Sequence, residues 1–325
     1  MSYMARLVWC VLAAVPALSG PAQAQETFPN KPVRMIVTAA AGGITDIMAR
    51  LIQEPVGRGL GQPMIIENKP GAGGIIATDY VAKSAPDGYT LVIVNVGNVA
   101  ISPWITKSLP YDSLNDLVGV AAVAEVPSIV AINDKLPVKT LKEFIEYAKA
   151  NPGKINYGSA GNGTIPHLAG EVLSHLTGIK MVHVPYKGAA PAAVDLAAGL
   201  VQLGMIAIGS AKGSIAKGQV RVLAVAGSRR LAALPDVPTF DEAGVSGYDI
   251  TNWFGVLAPR GTPSAVIQSL HDHIDKALED PLVVKRLADG GSLPIRESIE
   301  QFQARIVTDH AKWGDRVRIA GITAQ

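Results

Sequence analysis

Hydrophobic positions in this chain fall into short runs broken by glycine and proline, and their spacing switches from run to run. Val33, Met35, Ile36 and Val37 crowd into five positions, the density of a strand buried on both faces. Ile47, Met48, Leu51 and Ile52 follow at helical spacing and predict a helix over residues 46–58. Two more strand-like runs, 64–67 and 90–95, flank a helical pattern at 74–85, with the turn Pro86-Asp87-Gly88 before the last. Such alternation predicts a parallel α/β sheet with right-handed crossovers. Residues 101–116, with Pro103, Pro110 and Asn115, read as a short helix and a loop. The apolar run 118–124 reads as a buried strand.

A second unit of the same kind begins near Pro127. Strands are expected at 128–132, 154–157, 180–184, 201–208 and 220–226. An amphipathic helix carries Leu141, Phe144, Ile145 and Ala148 on one face and is stopped by Asn151-Pro152-Gly153. Further helices are expected up to residue 175 and over 189–198. A last strand at 253–258 precedes two helices, 263–278 and 299–318. The final helix carries Ile299, Phe302, Ile306, Trp313 and Val317 near one face. The fold class expected is α/β, two Rossmann-like lobes with a cleft between them. Residues 25–125 plus 231–325 form one lobe and 126–230 the other, and the C-terminal helices pack back on the first.

The N-terminus stands apart. Arg6, the apolar run 7–18 and Ala22-Gln23-Ala24 have the layout of a signal peptide cleaved after Ala24. A membrane anchor is the alternative, but the run is shorter than the ~20 residues a span needs. Cys10, the only cysteine, falls inside this segment, and Trp9 before it is wrong for lipid attachment. A mature chain without thiols suits an oxidising compartment such as a bacterial periplasm. Hydrophobic residues make up 48% of the chain and charged ones 17%, against a usual charged share of about 25%, so a large core is available. The net charge is +2 and no basic stripe appears, which argues against nucleic acid as a partner.

Two turns concentrate the candidate chemistry. Thr38-Ala39-Ala40-Ala41-Gly42-Gly43-Ile44-Thr45-Asp46 links a strand to a helix, and Ser159-Ala160-Gly161-Asn162-Gly163-Thr164 repeats the layout in the second unit. Helix starts present unpaired N–H groups and the positive end of the helix dipole, which suits an anion. Neither turn holds Lys or Arg, so a carboxylate would be held by backbone donors. Plain connecting loops also use glycine in this way. Contacts expected from the first turn are Ala39, Ala41, Gly43, Ile44, Thr45 and Asp46. From the second they are Ser159, Gly161, Asn162, Gly163 and Thr164. Asn98 is expected at the cleft rim, and His167, Tyr186, Ile206 and Trp253 as further ligand contacts. The alternative for His167 is a partly buried histidine, and for Trp253 a core aromatic flanking a strand.

Known catalytic signatures fail one by one. Pro166 stands where a dinucleotide fingerprint needs its third glycine, no P-loop occurs, and Tyr157 breaks a nucleophile elbow around Ser159. His271-Asp272-His273 places its histidines on different sides of a helix, so no metal is expected. A hydrolase using Ser159 and His167 is the enzymatic alternative, but it lacks an evident acid partner.

The chain resembles the Bug-type periplasmic solute-binding proteins that serve tripartite tricarboxylate transporters. Matching blocks include Gly42-Gly43-x-x-Asp46, Glu67-Asn68-Lys69-Pro70-Gly71-Ala72-Gly73-Gly74, Ala85-Pro86-Asp87-Gly88-Tyr89-Thr90-Leu91 and Leu109-Pro110-Tyr111-Asp112. Others are Ser159-Ala160-Gly161-x-Gly163-Thr164-x-x-His167-Leu168, His183-Val184-Pro185-Tyr186-Lys187-Gly188, Leu234-Pro235-Asp236-Val237-Pro238-Thr239 and Ala258-Pro259-x-Gly261-Thr262-Pro263. The resemblance implies a type II periplasmic-binding fold with a hinged cleft. It implies a carboxylate bound by the two turns, delivery to transporter membrane subunits, a monomer, no catalysis and no cofactor. A sensor subunit presenting the ligand to a membrane kinase is a further alternative.

Two departures stand out. The first turn of the family commonly reads Pro-Phe-x-Pro-Gly-Gly, where alanines stand here. Acidic residues are usual where Gln202 and Ile206 stand. An acid there could meet a ligand amine and Ile206 cannot, so the expected ligand is a bulkier, more apolar carboxylate, aromatic or dicarboxylate, rather than an amino acid.

Overall fold

The computed structural model describes residues 28–227 and 229–324, and the expected signal peptide and cleavage after Ala24 lie outside them. The first sheet is built from β1 (Val33–Val37), β2 (Met64–Asn68), β3 (Thr90–Asn95), β4 (Leu117–Asn133) and β9 (Thr251–Pro259). Its order is β2-β1-β3-β9-β4, with β1 parallel to β2 and β3, and β9 antiparallel to β3 and β4. The second sheet joins β4 to β5 (Ile155–Ser159), β6 (Met181–Pro185), β7 (Leu203–Ala207) and β8 (Val220–Val225). Here β5 is parallel to β6 and β7, while β7 and β8 run antiparallel to β4 on either side of it.

The two strands expected at 118–124 and 128–132 are therefore one. β4 bonds to β9 over residues 117–127 and to β7 and β8 over 128–133, so a single strand serves both sheets. Glu125 and Pro127 interrupt its apolar run, which is why the pattern reads as two segments. Most of its positions are buried, as expected of a strand covered on both faces.

Helices cover the sheets. These are α1 (Ile44–Leu60), α2 (Ile75–Ala82), α3 (Ser102–Ile105), α4 (Leu141–Ala150), α5 (Ile165–Thr177) and α6 (Ala189–Ala198). After them come α7 (Ile208–Ala216), α8 (Ser264–Ala277), α9 (Pro281–Asp289) and α10 (Ile299–Ile319), with a short β10 (Leu293–Pro294) pairing β4. The expected strand 201–208 stops at Ala207 and gives way to α7. Helix α8 packs on α1, as expected of a C-terminal element returning to the first unit. Helix α10 bridges the molecule. It holds Trp253 through Asp309 and touches α5 of the second unit.

Residues 231–250 were expected on the first lobe, but these bonds tie them to the second unit: Thr239 bridges Val225, Phe240 N–H donates to the Val225 carbonyl at 3.2 Å, and Tyr248 Oη donates to the Ala169 carbonyl at 3.3 Å. The chain therefore passes between the sheets at two adjacent places, along β4 near Val126 and into β9 near Thr251, which pair with one another.

Candidate functional site

A cleft of about 770 Å³ lies between the sheets, above this double crossing. Val126, Ser128 and Asn252 line it from the crossing strands. Ile44, Ile47, Ile101 and Ile105 line it from the first unit, and Ile165, Met205 and Ile206 from the second. Asn95, Ser102, Ser159, Asn162, Thr164 and Ser210 supply hydroxyls and amides. Among the described residues lining it, none carries a charge. A side-chain oxygen of Asn252 is buried with no hydrogen-bond partner.

The 159–164 turn forms a wall of this cleft and is tied by its own atoms. Gly161 N–H donates to Ser159 Oγ at 3.1 Å, and Thr164 Oγ1 donates to the Gly161 carbonyl at 2.7 Å. Gly161 and Gly163 have φ of +130° and +73°, a region L-residues rarely adopt, so glycine is required to shape the loop. Thr164 is the N-cap of α5, yet its side chain bonds no helix N–H. Pro166 has no N–H, so the first-turn donors of α5 left to solvent or to a ligand are the Ile165 and His167 amides.

The first turn is arranged otherwise. Asp46 is buried and folds back to accept Gly42 N–H at 2.9 Å, Asn68 Nδ2 at 2.8 Å and Arg50 Nε at 2.9 Å. Burial pushes its carboxyl up, but hydrogen bonds from Arg50, Gly42 and Asn68 outweigh this and leave its pKa at about 2. Gly43 N–H is spent on the Ala40 carbonyl, and Asn68 Nδ2 also holds the Ala39 carbonyl at 2.9 Å. Of this turn only Ile44 lines the cleft, joined by Ile47 one helical turn on. Ala39, Ala41, Gly43, Thr45 and Asp46 do not.

The remaining expected residues divide. Ile206 lines the cleft. Asn98 is buried beneath it, where Nδ2 donates to the Gly73 carbonyl at 2.6 Å while Oδ1 accepts Asn95 N–H at 3.0 Å. It braces two cleft-lining residues without reaching the cleft itself. Tyr186 donates to Asp195 at 2.7 Å. Trp253 is fully buried, donates to Asp309 at 2.6 Å and meets Phe302 edge-on. His167 does not line the cleft, but its Nδ1 accepts Gly163 N–H at 3.1 Å.

Sequence reasoning missed His183, although it stands in the quoted block His183-Val184-Pro185-Tyr186. Its Nε2 lies 2.6 Å from Ser159 Oγ, and its ring stacks on His167 at 3.9 Å between centroids and on Tyr157 at 5.0 Å. The Ser159 partner is therefore His183, not His167. Burial, then the neighbouring His167, pushes His183 down to about 4. Reasoning also missed Asn95, Ser102, Ser128 and Asn252. Asn95 ends β3, Ser128 and Asn252 lie at the crossing of β4 and β9, and Ser102 opens α3, placements that only the topology reveals.

These features define a two-unit binding protein with its ligand cleft at the crossing of the sheets, the type II periplasmic-binding arrangement. The family model for the tripartite tricarboxylate transporter family receptor matches residues 48–322. BugT of Bordetella pertussis is 36% identical over 312 residues, covering 96% of this chain and 95% of BugT. A Rhodopseudomonas palustris protein solved with adipate is 34% identical with a TM-score of 0.80, covering 92% of this chain and all of the other. MatC of the same organism, solved with malate, is 33% identical with a TM-score of 0.75, covering 89% of this chain and all of MatC. The chain belongs to the tripartite tricarboxylate transporter receptor family and is a solute-binding protein of that kind.

Proposed function

We propose that this protein captures a carboxylate with a bulky apolar body in the cleft and delivers it to the membrane subunits of a tripartite tricarboxylate-type transporter. The observation that carries this reading is the lining itself. The start of α5 faces the cleft with no side-chain cap on its first-turn N–H groups, the opposite wall is a set of isoleucines, and no described lining residue is charged. One anionic end can be held by N–H groups, while the rest of the ligand contacts apolar surface. An ammonium group would be buried without a counter-charge, which is costly. Adipate and malate bound to relatives support an acid as the ligand class.

The protein acts in this reading as a monomer, in the periplasm, after cleavage following Ala24. It has no cofactor and performs no chemistry. Ser159 is buried, and its histidine is a weak base with a pKa of about 4, which suits neither nucleophile nor general base at neutral pH. Capture shifts a population: the carboxylate gains most when both walls touch it, so it favours the closed form. Calorimetry with hexanoate, phenylacetate, adipate, malate and aspartate tests the class. Phenylacetate or hexanoate should bind tightest, and tightest binding of aspartate would sink it. Mass spectrometry of the molecule that co-purifies from the native host should return an acid of the same kind.

A further inference from the structure

Beneath the 159–164 turn lies a pair of histidines that the capture reading does not use. We propose that His167 and His183 are positioning residues that hold this turn in its binding shape while both imidazoles are neutral, and that protonation of His167 on acidification releases it. The link to ligand capture rests on the function proposed above, whereas the control of the turn does not.

Each ring secures a different part of the turn. His167 Nδ1 accepts the Gly163 N–H at 3.1 Å, so the proton of neutral His167 must sit on Nε2. His183 Nε2 lies 2.6 Å from Ser159 Oγ, and that same oxygen accepts the Gly161 N–H at 3.1 Å. Protonation of His167 would place an N–H on Nδ1, pointing at the Gly163 N–H. Two donors cannot share that contact, so the bond must break. The rings lie parallel, 6° apart with centroids 3.9 Å apart, so a second charge on the pair would be repelled by the first.

The surroundings keep the pair neutral near pH 7. Burial lowers His167 below its usual range, and Glu171, with Oε1 4.0 Å from Nε2, opposes this. Glu171 is itself engaged by the Tyr157 hydroxyl, and Tyr157 stacks on the other face of His183. Tyr248 lies beyond Tyr157, with Arg316 of α10 behind it. Acidification thus acts against burial and charges the pair only below the ordinary histidine range, His183 last, near pH 4.

The test pairs a ligand-free measurement with a binding one. In the wild type, the Gly163 amide resonance should move with the titration of His167 between pH 7.5 and 5. In His167→Asn, whose Oδ1 can accept the same N–H but cannot titrate, it should not. Hexanoate stays largely ionised at pH 5.5 and serves as the probe. Its wild-type Kd should rise about twofold to threefold from pH 7.5 to 5.5, part of the factor one hydrogen bond carries, because His167 is only partly charged there. In His167→Asn the Kd should stay within about threefold of wild type at pH 7.5 and show no pH slope. A Gly163 amide indifferent to pH overturns the proposal, as does a His167→Asn slope equal to that of wild type, or tighter wild-type binding in acid. If Gly163 tracks His167 but hexanoate and the other acids fail to bind, the carboxylate reading falls and the histidine control of the turn stands.

Discussion

Asp46 and Trp253 show how residue type can be read while residue role is not. Both sit beside motifs that face a cleft, and both turn inward. Asp46 directs its carboxylate into its own turn, and Trp253 uses its indole N–H on Asp309. Asp at the third helical position also suits a first-turn acid next to the dipole, so the sequence alone cannot tell brace from contact. Replacing Asp46 by Ala should cost about 2–3 kcal/mol, because Gly42 N–H, Asn68 and Arg50 lose an acceptor together. The pH signature has a definite sign. A carboxyl lowered from 3.8 to about 2 contributes stability that is complete above the higher value and is lost as pH falls through the lower. Urea midpoints should therefore fall less steeply between pH 4 and 2 in Asp46→Ala than in wild type. For Trp253→Phe, a loss of about 1–2 kcal/mol is expected from the broken bond to Asp309. Hexanoate affinity should be unchanged by this substitution, and a large loss of affinity would return Trp253 to the cleft.

At the scale of elements, most of the fold was legible where period and punctuation agreed. β1, β3 and α6 keep their expected bounds, because glycines or prolines stand at or near their ends. Helix α9 was missed although Asp280 caps it, accepting Leu282 N–H at 2.8 Å, and Pro281 opens it, both readable start signals. Helix α7 was missed for a different reason. Its glycines and serines are weak helix formers, and only its packing against β7, β8 and α6 makes it helical. Helix α5 carries the cleft wall, and its seat on β5 depends on Gly170, where an added Cβ would overlap the Tyr157 ring. Gly170→Ala should destabilise by about 1–3 kcal/mol despite the better helix propensity of alanine. It should also weaken hexanoate binding, since Tyr157 supports His183 and through it Ser159. Gly255→Ala overlaps Phe302 instead, in the core behind the cleft. A similar loss of stability with affinity kept would separate the two effects.

For the molecule as a whole, the two units approach at a point that tests whether the ligand favours closure. An ideal Cβ on Gly163, in the second unit, would lie 3.0 Å from Ile105 Cδ1, in the first. Both residues line the cleft. Gly163→Ala therefore carries two penalties. One is local, about 1 kcal/mol for an L-residue at φ +73°, and it falls on open and closed forms alike. The other arises only when the units meet, and so it falls on affinity. Ile105→Ala removes the obstacle but not the local strain. If closure is what the ligand favours, the effects are non-additive: Gly163→Ala weakens hexanoate binding more than about tenfold, and adding Ile105→Ala recovers part of the loss. Small-angle scattering supplies the matching shape. The radius of gyration should shrink on saturation in wild type and in the double variant, but not in Gly163→Ala. If the double variant binds more weakly than either single one, the strain acts within the turn and the two units need not meet for capture. That result would replace a clamp with a single-sided site, in which the 159–164 turn alone selects the ligand.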